Sequence, residues 1–127
     1  MNYKRILFFL GIYSLLISGF SILNVLYSVY FDFVIDLNSY LITFVVSLTI
    51  GSLFWYLGHL YRKNISLSDQ IIFILLGFIF MPFLISIPYY FSVYNISFLD
   101  SYFESVSGFT TTGFSIIQNI NNIDEPL

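Results

Sequence analysis

"FLDSYFESVSGFTTTG", Phe98–Gly113, joins a short amphipathic run to three consecutive threonines and a glycine. Ser97 stands before it as a helix cap, and Asp100 falls in the first turn, where a negative charge suits the positive end of a helix. Phe98, Tyr102, Ser105 and Phe109 share one helical face, and Phe103 and Val106 widen its apolar stripe. A helix from Leu99 to Phe109 is only about 16 Å long, roughly half of a ~30 Å hydrocarbon layer. Gly108 loosens its end. Thr110, Thr111 and Thr112 are β-branched and favour extended backbone, and Gly113 takes dihedrals closed to other residues. The stretch therefore reads as a half-length helix followed by an extended strand over residues 110–114.

The sequence around it is of membrane type. Hydrophobic residues make up 58% of the 127-residue chain and charged residues 9%, against about 25% charged in a soluble domain. The charges cluster at Lys4 and Arg5, at Arg62 and Lys63, and in short acidic connections, which leaves three long uncharged intervals. The first, Ile6–Phe31, would extend about 39 Å as a helix, enough to cross with some tilt. It is too long for the core of a secretory signal, and no small-x-small cleavage site follows it. The second is Ser39–Tyr61. Its Ser47 and Gly51 have a small-xxx-small spacing that either lets another helix approach closely or arises by chance in a glycine-tolerant span. The third runs over about residues 70–94, with Ser66 or Ser68 as cap, Asp69 in the first turn, and Pro82 and Pro88 as expected kink points. Tyr89, Tyr90 and Tyr94 suit a membrane interface.

Both basic clusters lie on one side if the N-terminus is cytoplasmic, as the positive-inside rule asks. The third span then exits, so Phe98–Gly113 starts outside and dips inward. Extended backbone at membrane depth is tolerated only when it is buried in protein or lines a water-filled path. A row of carbonyls directed at one axis replaces the water shell of a monovalent cation, and the short helix directs its negative end at the same place. The sequence thus points to an all-α membrane protein of three transmembrane helices, a re-entrant pore helix and an extended selectivity-filter strand. The plainer alternative is an external loop carrying a surface amphipathic helix.

At these residues the chain resembles the Trk/Ktr/HKT superfamily of potassium transporters, in particular the N-terminal part of a bacterial TrkH-type membrane subunit. The similar segment is Ile85–Ile117, "ISIPYYFSVYNISFLDSYFESVSGFTTTGFSII", with Asp100, Phe103, Glu104, Ser107, Gly108, Phe109, Thr110, Thr111, Thr112 and Gly113 at the family's first-pore spacing. The resemblance implies four helix–pore loop–helix units around a pseudo-fourfold axis. It makes K⁺ the transported ion, with the backbone carbonyls of Thr110, Thr111, Thr112 and Gly113 as its ligands and no other cofactor. Asp100, Phe103, Glu104, Ser107, Gly108 and Phe109 become pore-helix support. Membrane lipid, a homodimeric partner and a cytoplasmic nucleotide-binding regulatory subunit (TrkA-like) are the implied partners, and the bacterial inner membrane is the implied location. Residues 1–66 then hold two N-terminal helices (about 6–31 and 39–61). Residues 67–127 hold an incomplete first pore unit: outer helix 70–94, pore helix 98–109, filter 110–114, and the start of a linker to an inner helix.

The chain stops at Leu127, before that inner helix, and one filter strand cannot surround an ion. The expectation is a fragment of a transporter that does not conduct by itself. The rival reading is a small structural or interaction membrane protein, or a relic without transport of its own. An enzyme finds no support: no span carries a carboxylate pair, a histidine cluster or a phosphate-cradling loop. There is no cysteine, and a net charge of −3 with four basic residues excludes a nucleic-acid face. His59 stands alone and reads as an interfacial polar residue. Asn24 reads as a packing contact, and Asn64-Ile65-Ser66 and Asn95-Ile96-Ser97 read as turns and caps. Asn119, Asn121, Asn122, Asp124 and Glu125 form either a pore mouth or a solvated linker.

Overall fold

The computed structural model describes residues 3–31, 37–61, 66–92 and 96–116, and these are helical with connecting turns. The order is α1 (Tyr3–Tyr30), α2 (Leu37–Gly58) ending in a 3₁₀ turn (His59–Tyr61), α3 (Leu67–Tyr90) and α4 (Phe98–Phe109). The first three are each long and apolar enough to cross a membrane. Their burial is inverted relative to a soluble bundle. Beside a few apolar side chains such as Phe8 and Leu84, most of those inside are small and polar, such as Ser14, Ser18, Thr43 and Ser47, while Phe20, Leu26, Tyr56 and Ile79 face outward. Lipid is as apolar as leucine, so such helices associate by close backbone approach and interhelical hydrogen bonds rather than by burying large side chains. The chain is a membrane protein on these grounds.

The α1–α2 hairpin shows how this works. Gly11, Ser14, Ser18, Ser21 and Ser28 are buried on α1, and Ser39, Thr43, Ser47, Gly51 and Gly58 on α2. The spacings of three and four repeat one helical face. The helices are antiparallel: Gly58 lies against Lys4 and Phe8, and Gly51 against Leu15. The Ser14 hydroxyl donates to the Ser47 carbonyl at 2.7 Å. Of the two readings of Ser47 and Gly51, the structure selects the close helix approach.

α3 runs parallel to α1. Arg5 pairs with Asp69 at 3.1 Å, Phe9 and Tyr13 both meet Phe73, and Gly77 faces the Tyr13 ring. Asp69 also occupies the first turn behind the Ser66 cap, so α3 starts at Leu67, ahead of the expected residue 70. It continues through Pro82 and Pro88 and ends at Tyr90, with Phe91 as its C-cap. The Phe91 carbonyl accepts the Ser39 hydroxyl at 2.9 Å, which ties the end of α3 to the start of α2. Residues 93–95, including the expected interfacial Tyr94, lie outside the described residues.

Among the described residues, α4 packs on α3 and on no other helix. Ser97 caps it, accepting from the Asp100 N–H at 3.2 Å and donating to the Asp100 carboxylate at 2.7 Å. It runs antiparallel to α3. Phe98 sits edge-on to Phe83 and Tyr90, the Tyr102 hydroxyl reaches the Ile79 carbonyl at 3.3 Å, and Phe109 sits edge-on to Phe78 at 5.6 Å. Ser101 and Ser105 are buried, with their hydroxyls returned to the carbonyls four residues back. Small side chains there let the two helices approach. Phe78 is at the middle of α3, so α4 covers half of a membrane-length helix and stops.

Two outcomes are expected. A Cβ at Gly58 would lie 2.5 Å from the Lys4 carbonyl oxygen, whereas one at Gly19 meets nothing within 4 Å. Gly58→Ala should therefore lose about 1–3 kcal/mol through overpacking, while Gly19→Ala should be neutral or slightly stabilising in thermal unfolding in detergent micelles. Equal responses would contradict the close approach. Asp69→Asn should cost about 3 kcal/mol by breaking a buried ion pair, and Asp69→Leu combined with Arg5→Met should recover most of that loss. A single variant as stable as the parent would show that the pair contributes nothing.

Candidate functional site

The end of α4 decides what the threonine stretch can do. Thr110 is the C-cap, with φ −87° and ψ 1°, and its N–H donates to the Val106 carbonyl at 2.9 Å. The Thr111 N–H donates to the Gly108 carbonyl at 3.2 Å and the Thr112 N–H to the Ser107 carbonyl at 3.0 Å. These two crossed bonds form a Schellman cap, which requires a left-handed residue after the helix. That residue is Thr111, with φ 57°. A β-branched side chain in this region costs on the order of 1–3 kcal/mol. Gly113 is the second left-handed position, at φ 74°, as its residue type allows.

No strand is present over residues 110–114. The sequence expectation of extended backbone is replaced by a turn because the N–H groups of Thr110, Thr111 and Thr112 bind carbonyls of the last turn of the helix. The side chains reinforce it. The Thr110 Oγ1 donates to the Val106 carbonyl at 2.7 Å and lies 2.9 Å from the Thr112 Oγ1. The Thr112 Oγ1 donates to the Ser107 carbonyl at 3.2 Å. With their donors used this way, the carbonyls of Thr110, Thr111, Thr112 and Gly113 accept no hydrogen bond among the described residues. With the Phe109 carbonyl, they are uncommitted backbone acceptors at the negative end of α4.

Beyond Gly113 the chain turns back along the helix. One carboxylate oxygen of Glu104 accepts the Ser115 hydroxyl at 2.9 Å and also the Ile116 N–H. Glu104 lies about 7.5 Å up the helix axis from Phe109, so residues 113–116 retrace the path of α4. This contact is absent from the sequence reading, which gives Glu104 only a supporting role. A carboxylate eleven residues before a serine leaves no pattern until the loop is known to double back.

The other expected site residues are placed as follows. Asp100 serves the cap at the far end of α4 and is not brought to the threonines. Phe103 faces outward. Ser107 is buried, and its hydroxyl has no partner among the described residues. Gly108 is exposed with open space where a Cβ would be. Phe109 anchors the helix end on Phe78 and borders an open groove of about 620 Å³ between α1, α2 and α3, lined in part by Asn24, Tyr40 and Tyr89. His59 donates through Nδ1 to the Tyr56 carbonyl at 2.7 Å and stacks on Trp55. Asn64, Asn95 and the polar segment from Asn119 to Glu125 lie outside the described residues. Among the described residues no cluster of histidine or carboxylates could hold a metal ion.

Comparison with known proteins adds one finding. The sequence matches no family model, and no solved structure matches it. It is 32% identical over 85 residues to the Trk system potassium uptake protein TrkG of Escherichia coli (strain K12). That alignment covers 66% of this chain and 18% of the relative, so the chain spans less than a fifth of the length of the transporter it matches.

Proposed function

We propose that this chain supplies one of four pore loops of a K⁺ selectivity filter, as the N-terminal part of a potassium uptake transporter in the bacterial inner membrane. In this reading α1 and α2 are an accessory helix pair, α3 is the outer helix of the first pore unit, α4 is its re-entrant pore helix, and the carbonyls of Thr110–Gly113 face the ion. The N-terminus is cytoplasmic, so that Lys4 and Arg5 obey the positive-inside rule. Three further pore loops complete the ring, a second copy of the subunit gives a dimer, and a cytoplasmic nucleotide-binding subunit regulates it.

The observation that carries this reading is the placement of α4, which returns antiparallel along α3 and ends at Phe78, halfway along a membrane-length helix. A helix end at that depth leaves backbone carbonyls in a layer that offers them no water, a situation tolerated where they line an ion path. Two left-handed residues separated by one, Thr111 and Gly113, turn the chain back within a few residues. The negative helix end adds attraction for a cation. The similarity to a potassium uptake protein supports the choice of ion.

The test uses a transport-competent protein that carries this chain. Gly113→Ser meets open space but places a side chain on a left-handed residue, so it should disturb the loop rather than the bundle. K⁺ uptake relative to Na⁺ is expected to fall about tenfold, equivalent to about 1.4 kcal/mol of discrimination. Unchanged relative uptake of the two ions would refute the assignment of the loop to the filter.

A further inference from the structure

We propose that Glu104 is the positioning residue of the loop: its carboxylate straps the chain beyond Gly113 to α4 and thereby sets how the Thr110–Gly113 carbonyls meet a cation. The selectivity part of this proposal rests on the pore-loop reading above. The strap itself does not.

Packing does not hold the loop. Residues 111–116 are exposed, and no atom lies within 4 Å of where a Cβ of Gly113 would be. A left-handed glycine in open space has many alternative conformations at similar energy, so its geometry must be imposed from its two ends. The first end is fixed by the Schellman cap, which binds Thr111 and Thr112 to the last turn of α4. The second end is fixed by Glu104, which takes a hydroxyl from Ser115 and a backbone N–H from Ile116 on one oxygen. Hydrogen bonds to an ionised acceptor are about twice as strong as neutral ones, and these two close a loop of eleven residues on a helix that is already rigid. The four uncommitted carbonyls lie between the two fixings. Glu104 does not touch the cation site in this arrangement. It acts through Ser115 and Ile116.

Two measurements test this. The first is amide hydrogen exchange at Ile116, read by NMR in the full 127-residue chain in detergent micelles. Ile116 is expected to be protected, and Glu104→Ala should speed its exchange about tenfold or more, the loss of a charge-assisted hydrogen bond. Glu104→Gln keeps an acceptor oxygen and should retain most of the protection, and Ser115→Ala should give a smaller loss than Glu104→Ala. Helical content of α4 by circular dichroism should not change, since Glu104 is not part of its cap. Exchange at Ile116 that is equally fast in the parent and in Glu104→Ala would overturn the strap.

The second is the K⁺ to Na⁺ uptake ratio in a transport-competent protein that carries this chain. Glu104→Ala should lower the ratio while Glu104→Gln largely preserves it, a rescue that a role for the negative charge alone would not give. If Gly113→Ser moves the ratio and Glu104→Ala does not, the positioning role is overturned although the pore loop stands. If neither moves it while Ile116 exchange responds, the pore-loop reading and the selectivity role both fall and the strap remains as a structural contact.

Discussion

A backbone carbonyl inside a hydrocarbon layer needs a donor or a cation, because no water reaches it. The helices α1 and α2 meet this constraint along their length by their own hydrogen bonds, and α3 does so except where Pro82 and Pro88 have no N–H to donate. In the proposed re-entrant placement, α4 meets it only in part. Its last-turn carbonyls, from Val106 to Gly108, are taken by the N–H groups and hydroxyls of the three threonines. This is a helix end sealed by its own successor residues. The seal displaces the problem by a few residues and leaves the carbonyls of Thr110 to Gly113 as open acceptors. The functional reading follows from that displacement.

The rest of the fold serves to bring this end to its position. The small-residue seam between α1 and α2 draws two helices together so closely that a methyl group at Gly58 has no room. The Arg5–Asp69 pair and the Phe9, Tyr13 and Phe73 cluster set α3 beside α1 in parallel. The serines of α4 then let it settle on α3 with Phe109 against Phe78. Each step uses small or paired polar residues at the contact, with aromatic contacts beside them, and many large apolar residues are left outside, an arrangement that suits helices surrounded by lipid. The strained Thr111 opposes its own propensity, as do Pro82 and Pro88 inside α3. Such conflicts are expected where a site, rather than stability, sets the backbone.

Much of the helical layout was legible in the residues. Uncharged intervals mark the three long helices, Ser97 with Asp100 marks the start of α4, and Gly113 marks a left-handed turn. Ser47 and Gly51 on α2 pointed to a close helix contact, and its other half is the row of small residues on α1, Gly11, Ser14, Ser18, Ser21 and Ser28. One of the two expected caps, Ser66, with Asp69 in the first turn, marks the start of α3, whereas the pairing of Asp69 with Arg5 was not legible because Arg5 lies in another helix. The threonine run misled in a specific way. β-branched propensity favours extended backbone, but the unpaired carbonyls of a helix end attract the nearest donors, and that local demand prevailed. The Glu104 contact depends on a reversal of the chain that no single residue type announces.

The central claim is the depth of the end of α4. Nitroxide labels placed singly at Leu99, Gly108 and Ile79, all on exposed positions, can be ranked by depth in lipid bilayers from their collision with oxygen and with a water-soluble nickel chelate. The account predicts that the label at Gly108 lies as deep as the one at Ile79, near the middle of the bilayer, while the label at Leu99 lies near the interface. Labels at Leu99 and Gly108 that share the depth of the lipid headgroups would contradict it, and would make α4 an amphipathic helix lying on the membrane surface.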